Sequence, residues 1–204
     1  MILEIPEEKL FAFKKFTEIF EQYNTHTNLM SKNDLPKIWT KHIPDSLGIK
    51  FFFDKYGKAE NIIDIGSGGG FPSIPVAIMY ENTTVTAIES ISKKVKFLNL
   101  VKNELKLENF IPICERIEKL HKQMKNSADV VTGRAVADLS KIIEYSSPFL
   151  KKGGYIVAFK SKNADFELEG AKKIINKAKV SYVEKIKYPL KEGEERYLMI
   201  FRKL

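Results

Sequence analysis

Asp64, Gly66, Gly68 and Gly70 occupy alternate positions of the segment Asp64-Ile65-Gly66-Ser67-Gly68-Gly69-Gly70-Phe71-Pro72. Asn61–Ile65 has the apolar, β-branched texture of a strand, and Pro72–Tyr80 reads as a helix with Pro72 and Pro75 in its first turn. Glycines at such a strand-to-helix turn accept φ > 0 and let backbone approach a ligand closely. The helix start adds unpaired N–H donors. A loop of this kind suits a nucleoside cofactor. The dinucleotide fingerprint Gly-x-Gly-x-x-Gly fails from either start, because Phe71 or Ser73 stands where its last Gly or Ala belongs. Glu89 lies 25 positions after Asp64, at the end of the next strand-like run, Thr84–Ile88. A carboxylate there can accept hydrogen bonds from both ribose hydroxyls. The plainer alternative is a tight turn with an exposed Glu.

The complete pattern Asp-x-Gly-x-Gly-x-Gly is similar to the first cofactor motif of class I methyltransferases, whose cofactor is S-adenosylmethionine. Asp64 can then organise the loop or reach the cofactor's ammonium group. Ile117-Glu118, after a third strand, would fall beside the adenine; Glu118 is equally readable as a helix-start acid favoured by the dipole. Arg134 ends a fourth strand, which borders cofactor and substrate in such folds. It is one of four arginines in a chain whose 34 basic residues are otherwise lysines. Its planar fork suits a carboxylate or phosphate.

These groups need a scaffold, and the chain supplies an alternating one. Residues 6–23 read as an amphipathic helix, with a polar loop following at 24–28. A second helical region starts after Asp34 as N-cap, with Pro44 breaking or kinking it and Gly57 closing it. From residue 61, strands at 61–65, 84–88, 110–113, 128–132 and 153–159 alternate with helices at 72–80, 92–105 (capped by Ser92), 117–124, 138–147 and 165–178. Strands at 180–188 and 196–202 finish the chain, joined by a polar Lys191–Glu195 turn. This order predicts a doubly wound α/β, Rossmann-like sheet of seven strands with a C-terminal antiparallel hairpin and an N-terminal helical extension. We divide it as residues 1–60, the extension packed on the core, and 61–204, the methyltransferase domain.

Composition narrows the rest. Of the +8 net charge, residues 1–60 contribute nothing (nine Lys, nine acids), whereas residues 61–204 hold 25 basic residues against 17 acids. A basic domain suits a polyphosphate partner, although a lysine-rich composition alone would give the same excess. The lone Cys114 allows no intrachain disulfide and no cysteine zinc site, and reads as a small buried apolar residue. His26, His42 and His121 share no metal-ligand spacing, so no metal is expected. No signal peptide and no membrane-spanning run are evident, and a cytoplasmic protein without membrane contact, acting as a monomer, is expected.

Several stretches, in order, resemble the RsmG (GidB) family of small-subunit rRNA guanine-N7 methyltransferases: Asn28-Leu29, Lys41-His42-Ile43-Pro44-Asp45-Ser46-Leu47, Asp64–Pro75 with Gly-Phe-Pro-x-Ile-Pro, Glu89-Ser90-x-x-Lys93-Lys94-x-x-Phe97-Leu98, and Arg134-Ala135-Val136-Ala137. Ser73 and Met30 depart from it, standing where Gly and Thr are usual. The resemblance implies methyl transfer to N7 of guanine 527 in the 530 loop of 16S rRNA, on the small ribosomal subunit or an assembly intermediate. It also implies cofactor contacts by Gly66, Phe71, the Glu89–Ile91 stretch including Ser90, Ile117-Glu118 and Arg134.

Guanine N7 carries an in-plane lone pair and no proton, so no general base is needed and no certain catalytic residue is assigned. His42 and Asp45, spaced i, i+3, are substrate-side candidates; a structural hydrogen bond tying the N-terminal helices to the sheet is the alternative. Lys160 is a further candidate, for rRNA phosphate, or a solvated lysine. The same fold also admits a methyltransferase of another RNA, a protein or a small molecule, or a non-catalytic RNA- or nucleotide-binding module.

Overall fold

A computed structural model describes residues 5–190 and 194–204. Its sheet has seven strands: β1 (Asn61–Ile65), β2 (Thr84–Glu89), β3 (Phe110–Cys114), β4 (Ala128–Arg134), β5 (Leu150–Lys160), β6 (Val180–Pro189) and β7 (Glu195–Lys203). The order is β3-β2-β1-β4-β5-β7-β6. β1 to β5 are parallel, and β7 runs antiparallel between β5 and β6. The strand order reverses at β1, so the carboxyl ends of β1, β2 and β4 open the crevice where α/β sheets bind ligands. Three residues of the expected Lys191–Glu195 turn, 191–193, lie outside the described residues.

Strand alternation divides the interior in two. Ile62, Val130 and Val157 face one apolar cluster, and Ile63, Val131, Ile156 and Ala158 face the other. α7 (Leu139–Ser146) and α8 (Ala164–Lys177) cover the second cluster, and α4 (Ser73–Met79) and α5 (Ser92–Leu105) the first. The N-terminal helices α1 (Glu7–Thr27), α2 (Ile43–Leu47) and α3 (Ile49–Tyr56) also pack on the first. Phe16 and Phe20 of α1 meet Phe71 with ring centroids 5.4 and 5.6 Å apart, and Phe20 meets Phe97 at 5.3 Å. Burying each such ring contributes about 1.5–3 kcal/mol, so the glycine loop is held down on α1.

Some local expectations are corrected. The polar stretch 24–27 continues α1 to Thr27, because the buried Asn24 side chain accepts from Met30 N at 2.9 Å and donates to Met30 O at 3.2 Å. That pair satisfies backbone groups the loop would otherwise leave open. Asp34 makes no side-chain cap; its carboxylate accepts from Ser31 Oγ instead. Near Pro44 the chain does not simply break: Ile38–His42 forms a wide π-helical turn in which Ile43 N reaches back to Ile38 O. Pro44, which has no N–H, then sits in the first turn of α2, where none is required. Ser92 is the first residue of α5 rather than its cap; Ile91 holds that position in extended conformation. A short α6 (Ile117–Leu120) ends before Met124. Cys114 is exposed, because it ends the edge strand β3 at the rim of the sheet.

Candidate functional site

The glycine loop folds by its own backbone. Ser67 N donates to Ile88 O (3.0 Å), Gly70 N to Ser67 O (2.8 Å) and Ile74 N to Gly70 O (2.8 Å). Gly66, Gly68 and Gly70 have φ of 65°, 56° and 86°, in the left-handed region that a side chain resists. At Gly66 the need is also steric: a Cβ would stand 2.8 Å from both methyls of Val136.

Glu89 acts as a buried brace. Its Oε2 accepts from Gly68 N at 3.0 Å and its Oε1 from Ile91 N at 2.9 Å. One carboxylate thereby joins the loop after β1 to the turn after β2, while lone pairs remain for further donors. It lines a cleft of about 410 Å³ with Gly66, Ser90, Lys94, Ile117 and Glu118. Ile91 exposes its side chain and is not among the walls.

Asp64 is almost wholly enclosed. Its Oδ1 accepts from Thr132 Oγ1 at 2.9 Å, and its Oδ2 is buried with no partner among the described residues. Burial pushes its carboxyl up to about 6, against the hydrogen bonds that favour the anion. An orphaned buried acceptor beside a glycine loop fits a cationic ligand group such as an ammonium. The Glu89 carboxylate, in the wall of a cleft of about 410 Å³, fits the sugar of a nucleoside. The residues present therefore suit S-adenosylmethionine.

A second cleft, about 420 Å³, lies across residues Ala135 and Val136, which line both. Arg134 anchors it. Its NH1 donates to Asp45 Oδ2 at 2.8 Å and its NH2 to His42 Nδ1 at 3.1 Å, and its guanidinium lies 5.2 Å from the Phe71 ring centre. Because arginine only donates, His42 Nδ1 is the acceptor and the ring proton sits on Nε2. Burial, then the nearby Arg134, pushes His42 down to about 4, so the ring is neutral at pH 7. Asp45 Oδ1 accepts from Tyr188 Oη at 2.7 Å and faces Arg196 Nε at 3.4 Å. Asp45 thus ties α2 to β4, β6 and β7. Lys160, expected to face phosphate or solvent, is half-buried and paired with Glu167 Oε2 at 2.6 Å, and donates to Ala137 O at 2.9 Å.

The family model for rRNA small subunit methyltransferase G (GidB) matches residues 9–199. The chain belongs to this family. A Lysinibacillus sphaericus protein named ribosomal RNA small subunit methyltransferase G is 38% identical over 205 residues, covering 99% of this chain and 86% of that one. One of the same name from Staphylococcus aureus is 37% identical over 204 residues, covering 98% and 85%. Among solved structures, a SAM-dependent methyltransferase from Aquifex aeolicus superposes with a TM-score of 0.65 at 16% identity, covering 86% of this chain and 100% of that one. TYW2 of M. jannaschii in complex with AdoMet gives 0.64 at 22% identity, covering 81% and 78%. This member of the family is an S-adenosylmethionine-dependent methyltransferase of the Rossmann-like class, as its motifs led us to expect.

The GidB chain brings its sequence-identified residues together in two groups. Gly66, Glu89, Ser90, Ile117 and Glu118 line one cleft, and His42, Asp45, Arg134 and Lys160 the other. Gly70 and Phe71 stand behind the loop, against Ile74 and the aromatic rings of α1. Sequence reasoning missed Lys41, Glu167, Tyr188 and Arg196. Arg196 carried a signal in the scarcity of arginine; a tyrosine in a strand carries none.

Asp64 and His42 make opposing contributions to the pH dependence of stability. The Asp64 carboxyl is raised from 3.8 to about 6, so its contribution is complete below pH 3.8 and is lost as pH rises through 6. His42 is lowered from 6.5 to about 4, so its contribution is complete above pH 6.5 and is lost as pH falls through 4. Asp64→Asn removes only the first. Denaturant melts of the variant between pH 4 and 6 should show stability climbing more steeply with pH than in wild type, by up to about 1.4 kcal/mol per pH unit. Parallel profiles would mean Asp64 is not proton-linked.

Proposed function

We propose that this protein transfers the methyl group of S-adenosylmethionine to N7 of guanine 527 in the 530 loop of 16S rRNA, acting as a cytoplasmic monomer on the small ribosomal subunit or an assembly intermediate. The observation that carries this reading is the adjacency of the two clefts, one walled by Glu89 and the glycine loop, the other by Arg134 and its partners, meeting at Ala135–Val136. Membership of a family of small-subunit rRNA methyltransferases supports the substrate. Among the described residues no helix is long and apolar enough to cross a membrane, and none of the His, Cys, Asp and Glu side chains group as a metal site.

Residues 61–204 form the methyltransferase domain in this reading, and residues 1–60 an extension that walls the substrate side through His42 and Asp45. Glu89 would hold the ribose hydroxyls, Asp64 and the backbone at Gly66, Gly68 and Gly70 would hold the amino-acid end, Ile117 and Glu118 would flank the adenine with Ser90 and Ile91 nearby, and Phe71 lies against Arg134. The cofactor supplies an electrophilic methyl group on a sulfonium. Guanine N7 attacks with its lone pair and has no proton to lose, so the chain needs no general base. Its task is alignment of two reactants across residues 135–136, which accounts for large rate factors by itself. A neutral His42 adds no positive charge beside a base that becomes cationic.

The test is tritiated-methyl transfer to small subunits lacking the modification, followed by mapping of the labelled nucleotide. One label per subunit at that guanine is expected, with a rate that falls as salt rises, since phosphate contacts release counterions. Label on another nucleotide or on protein would overturn the assignment.

A further inference from the structure

The substrate-side cleft contains many charged atoms, and nearly all are engaged. Both oxygens of Asp45 are held by Tyr188, Arg134 and Arg196. Lys41 and Arg196 both close on Glu194, at 2.8 and 2.7 Å. Two groups differ. Glu167 Oε2 accepts from Leu139 N at 2.8 Å and forms an ion pair with Lys160 Nζ at 2.6 Å, but Oε1 has no hydrogen-bond partner among the described residues. The side chain is 24% exposed and lines the cleft, so that oxygen is open to a ligand. Lys160 Nζ has three N–H groups and two acceptors, Glu167 and Ala137 O. One donor therefore remains, on a side chain only 8% exposed in the wall of the same cleft.

On its β5–α8 side the cleft thus presents an open acceptor and an open donor side by side, both fixed by second contacts. Leu139 N–H, at the start of α7, orients the carboxylate; Ala137 O, in the loop that separates the clefts, orients the ammonium. A nucleobase edge complementary to them must offer a donor next to an acceptor. Guanine does so with N1–H and O6, and its 2-amino group adds a second donor beside N1–H. Adenine, entering with N7 towards the same methyl donor, would set its N1 lone pair against the carboxylate. Uracil and cytosine have no N7 to react.

We propose that Glu167 and Lys160 read the six-membered-ring edge of the target guanine, Glu167 Oε1 accepting from N1–H and the 2-amino group and Lys160 Nζ donating to O6. This inference rests on the guanine-N7 reading above. It makes base choice a property of the junction between β5 and α8, separate from the cofactor loop. A site built to hydrogen-bond a substrate group discriminates strongly against analogues lacking it, because its own polar atoms are left unpaired.

The experiment compares small subunits reassembled on 16S rRNA carrying guanosine or inosine at the target position. Inosine keeps N7, O6 and N1–H and lacks only the 2-amino group. Wild-type enzyme should favour guanosine by about tenfold or more in kcat/KM. In Glu167→Gln, Leu139 N–H and Lys160 hold the amide oxygen, leaving its NH2 to face the base's donors. Turnover on guanosine should then fall to within about threefold of that on inosine, while calorimetry with S-adenosylhomocysteine gives unchanged affinity. Equal losses on both substrates would show that Glu167 only holds α7 in place, and would overturn the proposal. Equal wild-type rates on the two substrates would overturn it too, without need of a folded variant. Wild-type enzyme that labels no guanine N7 at all would instead remove the underlying reading, and this inference with it.

Discussion

Asp45→Ala should lower the stability of the protein by about 3–5 kcal/mol, the usual loss when one partner of a buried ion pair is removed. The Asp45 and Arg134 side chains are 7% and 12% exposed, so both charges are largely withdrawn from solvent. Deleting the carboxylate leaves the Arg134 guanidinium facing Arg196 across an empty site, and strips the buried Tyr188 hydroxyl of its acceptor. Urea melts at pH 7 read the loss as a lower midpoint with an unchanged slope. The effect should be strongly non-additive. Asp45→Ala with Arg134→Met removes both charges, and the double variant should recover at least half of the single variant's loss. Tyr188→Phe alone should cost only about 1 kcal/mol, one hydrogen bond's net worth. A single-variant loss below about 1 kcal/mol would show that the pair is solvated and does not tie α2 to the sheet.

Gly70→Ala is expected to disable cofactor binding more severely than its one added carbon suggests. Gly70 has φ of 86°, where an L side chain meets the following carbonyl, at about 1–2 kcal/mol. The new Cβ would also collide with the Ile74 side chain, 2.8 Å from its Cγ1, and press Leu98 at 3.2 Å. Ile74 is fully buried on α4 and cannot swing away; overpacking of this kind costs about 1–3 kcal/mol. Relief comes from moving the loop, which carries Gly66 and Gly68 with it and breaks the Glu89 brace. A displacement near 1 Å at an aligned site costs about a hundredfold. Calorimetry with S-adenosylhomocysteine should show affinity reduced by about that factor in a variant that still melts cooperatively. Wild-type affinity would mean the loop tolerates a β-carbon and that its geometry is not what holds the nucleoside.

The buried Asp45 network and the glycine loop meet at Phe71. Its ring packs on Phe16 and Phe20 on one side and lies near Arg134 and His42 on the other. Helix α1 is thereby coupled to the glycine loop and to Arg134 through Phe71, beside the direct ties that Asp45 makes from α2. Damage to α1 at Phe16 or Phe20 would reach the reaction site without touching either ligand.

The sequence by itself determined what is local or periodic. Alternating strands and helices, read from apolar spacing, specified the doubly wound sheet and its closing hairpin, because a half-buried strand and an amphipathic helix each impose their own period on the chain. The glycine loop and Glu89 were legible for the same reason: the backbone of a strand-to-helix turn needs glycine wherever it occurs, and a carboxylate at the next strand end follows from the topology. Tertiary structure alone decided which distant side chains would share their charges. Asp45 is 89 positions from Arg134 and 143 from Tyr188, so no spacing could reveal that a candidate substrate contact is also a buried tie. Lys160 reads on paper as a lysine for phosphate or water; folding encloses it with Glu167 and leaves each with one unanswered hydrogen bond. The physical reason is that a charge's role depends on its solvation and its neighbours, and both are fixed only when the sheet brings remote segments to one edge.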